Sequence, residues 1–196
     1  MFGGTFNPPH IGHLRLARAA KAQVQLDMVL IMPASIPPHK EAPDLVDSAD
    51  RLALCRRTFT DPGFVISDLE LHRTGKSYTV DTIRALKECY PDDQLFLIIG
   101  SDMLLSFDRW YQAAEILSLC SLLVLSREDD ISPQVLRAYA NETLGLTEGV
   151  GYHVLTLEPM VLSSTEIRNT LKTGGDASAF LTEQACAYIK EKGLYQ

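Results

Sequence analysis

Residues 3–13 read GGTFNPPHIGH. Gly3 and Gly4 follow a short apolar start and predict a turn where backbone can approach a ligand closely, with a helix beginning near Ile11 or Gly12. A strand that leaves through glycines into a helix is the opening unit of a parallel α/β sheet, and such sheets bind ligands at the carboxyl ends of their strands. His10 and His13 stand three residues apart, a spacing that brings both rings to one side of a helical turn. The N-terminus of that helix carries partial positive charge and unpaired N–H groups, which suits a phosphate. Gly12 is expected to leave room for a nucleotide. Two structural histidines or a metal pair would explain the same letters. The metal pair is the weaker explanation, because zinc-binding helices space their histidines by four and no nearby carboxylate or cysteine completes a ligand set.

Outward from this motif, short β-branched and apolar runs predict buried strands at Met28–Met32, Phe64–Ser67, Leu95–Ile99, Leu122–Leu125 and His153–Leu157. Helical period fills Gly12–Val24, Ser48–Thr60, Thr79–Cys89, Trp110–Leu119, Pro133–Leu144, Ser164–Lys172 and Glu183–Lys192. Ser48, Ser132-Pro133 and Gly193 supply start and stop signals. This alternation predicts an α/β, Rossmann-like, doubly wound and mainly parallel sheet with helices on both faces. No repeat or linker interrupts it, so residues 1–196 are expected to form a single domain. A central first strand should run about five residues before its glycines, yet only Met1 and Phe2 do so. Either that strand is short, or the sequence begins inside it. The longest irregular stretch is Pro33–Asp47, whose prolines forbid helix and central strand, and a loop of that length is often functional.

The chain has 196 residues and a formal charge of −7 with its basic residues scattered, which argues against a nucleic-acid surface but leaves room for a small anion where a few cations converge. Cys55, Cys89, Cys120 and Cys186 show no metal-ligand spacing and lie in apolar segments, which reads as reduced core thiols. No export leader or membrane-length apolar run is evident, so the expected location is the cytoplasm.

Two further constellations carry chemistry. In VLSSTEIR, residues 161–168, Ser163 and Glu166 have capping-box spacing, which places Ser164 and Thr165 at a helix start and Arg168 about one turn on. N–H groups, hydroxyls and a bidentate cation there can hold phosphate oxygens; alone, an ordinary capped surface helix explains the pattern as well. In IIGSDM, residues 98–103, a strand ends at Gly100, and Asp102 just past it is placed to reach a ribose hydroxyl or to cap a helix. Trp110 and Tyr111 are expected to open the next helix, as core or as a stacking surface for a flat ring.

GGTFNPPHIGH, PPHK at 37–40, SYTVDT at 77–82, GSDM with the downstream Trp110-Tyr111, and SSTEIR occur in that order across nearly the whole chain. The sequence resembles the bacterial nicotinate-mononucleotide adenylyltransferases, in the HxGH nucleotidyltransferase superfamily that shares its fold core with class I aminoacyl-tRNA synthetases. The resemblance implies transfer of AMP from ATP to nicotinate mononucleotide, yielding the dinucleotide and pyrophosphate in NAD synthesis. His10, His13 and Arg168 would be the catalytic residues. ATP would be held by Gly3, Gly4, Thr5, Phe6, His10, Gly12, His13, Gly100, Asp102, Ser163, Ser164, Thr165 and Arg168, and the mononucleotide by His39, Lys40, Thr79, Trp110 and Tyr111. Mg²⁺ would accompany ATP, held mainly by phosphates, with no protein metal site. The expected partners are ATP and nicotinate mononucleotide, with neither nucleic acid nor membrane, and a homo-oligomer is compatible with the sequence. Three positions depart from the family pattern: Asn7 where aspartate is common, Ala34-Ser35 where an asparagine-containing pair is frequent, and Arg127-Glu128-Asp129 without the usual proline-glycine.

Overall fold

The computed structural model describes residues 1–35, 44–73, 77–127, 131–157 and 162–196. The apolar runs become parallel strands: β1 (Phe2–Gly4), β2 (Val29–Pro33), β3 (Phe64–Ile66), β4 (Phe96–Gly100), β5 (Ser121–Arg127) and β6 (Tyr152–Leu157). Their order in the sheet is β3-β2-β1-β4-β5-β6. The winding therefore reverses between β1 and β4, and a crevice opens beyond the carboxyl ends of those two strands. Phe2 pairs with Ile98, so Gly4 and Gly100, each two residues further on, end their strands side by side.

Eight α-helices are present among the described residues: α1 (Ile11–Gln23), α2 (Ser48–Thr58), α3 (Thr79–Cys89), α4 (Ser101–Leu104), α5 (Ala113–Leu119), α6 (Pro133–Ala138), α7 (Ser164–Lys172) and α8 (Glu183–Lys192). Because strand side chains alternate between faces, each central strand feeds two cores. Ile98, Leu123 and Leu125 join Leu14 and Ala17 of α1 and Cys55 of α2 on one face. Leu97, Ile99, Leu122 and Val124 join Val80 and Ile83 of α3, Ile116 of α5 and Leu136 of α6 on the other. A third cluster packs Ile167 of α7 and Ile189 of α8 with Leu54 of α2 and Tyr195, and Ile11 lies against it. The C-terminal helices are thereby fastened next to the opening motif.

Several local readings need correction. Asp47, not Ser48, is the N-cap of α2, and Ser48 is its first helical residue. The helix expected from Pro133 to Leu144 is α6 followed by one π turn, Tyr139–Thr143. Trp110 and Tyr111 do not open a helix: Trp110 closes a 3₁₀ turn at Phe107–Arg109, and α5 starts only after Gln112, held at φ 54°. Cys55 and Cys120 are core thiols, but Cys89 is exposed at the last residue of α3 and Cys186 is half-buried. Burial pushes the Cys120 thiol up to about 11.

Candidate active site

The glycine turn is shaped from below by Phe6. This residue takes the left-handed backbone conformation at φ 49°, and its buried ring meets Phe2, Phe59 and His13 edge-on at centroid separations of 5.5, 5.6 and 5.1 Å. A Cβ at Gly4 would lie 3.0 Å from the Phe6 ring, so glycine is needed there to seat it. What Phe6 can offer a ligand is its backbone.

His10 and His13 share one side of the first turn of α1, their rings stacked at 3.7 Å. His10 is the N-cap. Its Nδ1 accepts from the His13 backbone N–H at 3.4 Å, while the His13 Nδ1 accepts from the His10 N–H at 3.2 Å, a capping box built from two imidazoles. A neutral imidazole that accepts at Nδ1 carries its proton on Nε2, so the cap fixes the tautomer and makes Nε2–H the donor on both rings. No acidic residue enters the first turn of α1 to oppose an anion. Gly12 is also required locally: a Cβ there would sit 2.9 Å from the His10 Nδ1, so glycine makes room for the His10 ring.

The start of α7 is stitched to the same turn. Ser163 and Glu166 form the expected capping box. This engages the Ser163 hydroxyl and folds the Glu166 carboxylate back onto Ser163, away from a role as a free charge. The Ser164 hydroxyl donates to the Pro8 carbonyl at 2.9 Å, and Arg168 Nη1 donates to the Asn7 carbonyl at 2.8 Å while Nη2 reaches the Thr165 hydroxyl at 3.3 Å. Arg168 Nε–H is buried with no hydrogen-bond partner among the described residues. Two helix N-termini, two imidazoles and one guanidinium therefore meet around residues 7–13, and this is an arrangement for holding phosphate.

Across the crevice, Gly100 caps α4, and a Cβ on it would lie 2.6 Å from an Asp102 carboxylate oxygen. Thr79 is the first residue of α3, whose N-cap Tyr78 gives no side-chain bond to the open N–H groups. The Tyr78 ring lies 4.5 Å from that of exposed Tyr111, and Trp110 stacks on buried Phe107 at 4.8 Å. The start of α3 and the Trp110-Tyr111 pair are thus brought together despite the misread helix boundary. His39 and Lys40 lie outside the described residues.

The cytidylyltransferase-like family model matches residues 1–170. The nicotinate-nucleotide adenylyltransferase of Bacillus subtilis is 35% identical over 205 residues, covering 100% of this chain and 97% of the relative. The chain belongs to the nicotinate-nucleotide adenylyltransferase family. The nicotinic acid mononucleotide adenylyltransferase of Plasmodium falciparum, solved in complexes with APC and with NaAD, shares the fold at a TM-score of 0.78 in each case. Its sequence identity is 15%, the superposition with the NaAD complex covering 99% of this chain and 95% of that one.

Two residues of this family member escaped sequence reasoning. Arg51 of α2 is 1% exposed and spans three carbonyls, Nη1 donating to Thr5 at 2.9 Å and Ala34 at 2.6 Å, Nη2 to Ser35 at 2.9 Å. Burial holds its guanidinium below the ordinary arginine value, with the neighbouring Cys55, Tyr195 and Asp47 acting in the opposite direction. It ties the exit of β1 to the exit of β2, and it does so through main chain. This tie does not depend on the side chains of Ala34 and Ser35. Asn7, the other departure, is also a hub. Its amide nitrogen donates to the Asp44 carbonyl at 2.8 Å, a bond aspartate could not make, and its oxygen accepts from the Val46 N–H at 3.3 Å and the Tyr195 hydroxyl at 2.8 Å. Arg51 had a readable signal. With Leu54, Cys55 and Thr58 it completes an i, i+3, i+4, i+7 buried stripe, where a lone cation must be bonded by something.

Proposed function

We propose that this chain transfers AMP from ATP to nicotinate mononucleotide, forming nicotinate adenine dinucleotide and pyrophosphate. The observation that carries this reading is the convergence of α1, α7, His10, His13 and Arg168 on Asn7–Pro8 at the point where the sheet reverses. The nucleophile is the mononucleotide's own phosphate, ionised near neutral pH because its second pKa is about 6. No general base is then required. Catalysis reduces to aligning two phosphates and stabilising charge on the α-phosphate and on the departing pyrophosphate. His10 and His13 donate from Nε2, and Arg168 supplies a fixed positive charge.

Around these, the main chain of Gly3, Gly4, Thr5 and Phe6 and the start of α1 at Gly12 border the phosphates, and Ser163, Ser164 and Thr165 line the α7 end. Gly100 and Asp102 face the adenosine. Thr79, Trp110 and Tyr111 hold the nicotinate ring, and His39 and Lys40 the mononucleotide phosphate. Among the described residues no cluster of three His, Cys, Asp or Glu side chains forms a metal site. Mg²⁺ bound with ATP would take its oxygen ligands from phosphates and water and would add positive charge opposite the leaving group. We place the enzyme in the cytoplasm as one nucleotidyltransferase domain over residues 1–196, acting on small molecules and not on nucleic acid. No helix among the described residues is long and apolar enough to cross a membrane.

The test is pyrophosphate release from ATP with separate candidate acceptors. Nicotinate mononucleotide should support turnover, and pantetheine phosphate should not; the opposite pattern would overturn the reading. Trp110→Ala should raise KM for the mononucleotide about tenfold, the value of one lost ring stack, while KM for ATP stays close to wild type. A defect seen mainly in ATP binding would remove Trp110 from the ring site.

A further inference from the structure

The connection from β3 to α3 carries a buried polar relay that the phosphate chemistry does not use. Thr82, fully buried in the second turn of α3, donates its hydroxyl to Glu70 at 2.7 Å and accepts from Arg73 Nη1 at 2.6 Å. The same Nη1 donates to the Ser77 hydroxyl at 2.9 Å. Glu70 is itself buried, and desolvation raises its carboxyl above the ordinary range, while the Thr82 hydroxyl and the Arg73 charge pull it back. One hydroxyl thus stands between a buried carboxyl and a guanidinium, and nothing else on α3 is bonded to either of them among the described residues.

The position of this relay gives it a consequence. Thr82 lies directly beneath the N-cap: the N–H groups of Asp81 and Thr82 close on the Tyr78 carbonyl at 3.1 and 3.4 Å. Through Arg73 it also holds Ser77, the residue before Tyr78. Tyr78 in turn meets Tyr111, and Thr79 is the first residue of a helix whose N-cap side chain makes no bond to its N–H groups. We propose that Thr82 is a positioning residue for the mononucleotide side of the site, orienting the first turn of α3 through the Glu70 and Arg73 relay. This inference rests on the proposed function. Thr82 touches no substrate; it sets the direction in which the Thr79 N–H and the Tyr78-Tyr111 pair are presented to the acceptor ring.

Thr82→Val keeps the shape of the side chain and removes only the hydroxyl, and Thr82→Ser keeps the hydroxyl. Steady-state kinetics on both variants with ATP and nicotinate mononucleotide separate positioning from general weakening. Thr82→Val should raise KM for the mononucleotide about tenfold, as expected when a buried donor and acceptor lose their shared partner, with KM for ATP changed by less than about twofold. Thr82→Ser should restore the wild-type value. An unaltered mononucleotide KM in Thr82→Val, or equal losses toward both substrates, overturns the positioning role. Failure of the wild-type enzyme to use nicotinate mononucleotide overturns the proposed function and this role with it, so the two failures are told apart in the same experiment.

Discussion

Alanine in place of His13 should lower kcat by about 10²–10³, the usual cost of removing one donor aimed at developing charge in a transition state. The fold should survive, because α1 keeps its buried face of Leu14, Ala17 and Ala20. Some stability should still be lost. The His13 Nδ1 accepts the His10 N–H in the reciprocal cap, and losing such a partner costs about 0.5–2 kcal/mol. A second variant separates the two effects. Glutamine is at home at this helix position in capping boxes, so His13→Gln should recover melting temperature while leaving kcat depressed. A His13→Ala enzyme turning over at near wild-type rate would remove the residue from the chemistry.

Arg51→Met should be the most destabilising single change in the molecule outside the apolar cores. Methionine fills much of the same volume but leaves the Thr5, Ala34 and Ser35 carbonyls without their shared donor. Leaving buried neutral carbonyls unpaired costs about 1–3 kcal/mol for each that finds no other donor, offset in part by relief of the arginine's own desolvation, so a net loss of about 3 kcal/mol is expected. For a chain of this size that corresponds to a fall of about 10 °C in melting temperature. Activity should drop as well, since the β1 turn and the β2 exit would no longer be held together. A melting temperature within about 2 °C of wild type would show that water or repacking satisfies those carbonyls.

Most of the architecture is legible in local pattern. The bounds of α3, α7 and α8 follow from periodicity and caps, and Ser163, Ser132 and Gly193 perform the terminal roles their chemistry suggests. The β1 turn, the paired histidines and the α7 start are also visible as motifs. Partnership across the chain is not visible. The helical stripe marks Arg51 as facing inward, but nothing local shows that the Thr5 and Ser35 carbonyls lie over it. Asn7 stands out in the sequence only as a departure from the family pattern, and nothing local shows that Tyr195, 188 positions away, donates to it. The boundary at Trp110 differs for a similar reason: the run from Trp110 has helical period, but buried Phe107 anchors a 3₁₀ turn and Gln112 turns left-handed before α5 can begin. Gly12 also serves a purpose that no local pattern shows, since the His10 ring folds back over its own helix and a Cβ would meet it.

The acceptor ring is expected to carry a carboxylate held at the start of α3. The α3 start offers N–H donors that its N-cap side chain does not bond, and donors satisfy both oxygens of a carboxylate but confront the NH₂ of an amide. That mismatch is worth on the order of 1–3 kcal/mol. The direct measurement is kcat/KM for nicotinate mononucleotide and for its amide, side by side on the wild-type enzyme at saturating ATP. The acid should be preferred by at least about tenfold; equal values, or a preference for the amide, would contradict a carboxylate held by these donors.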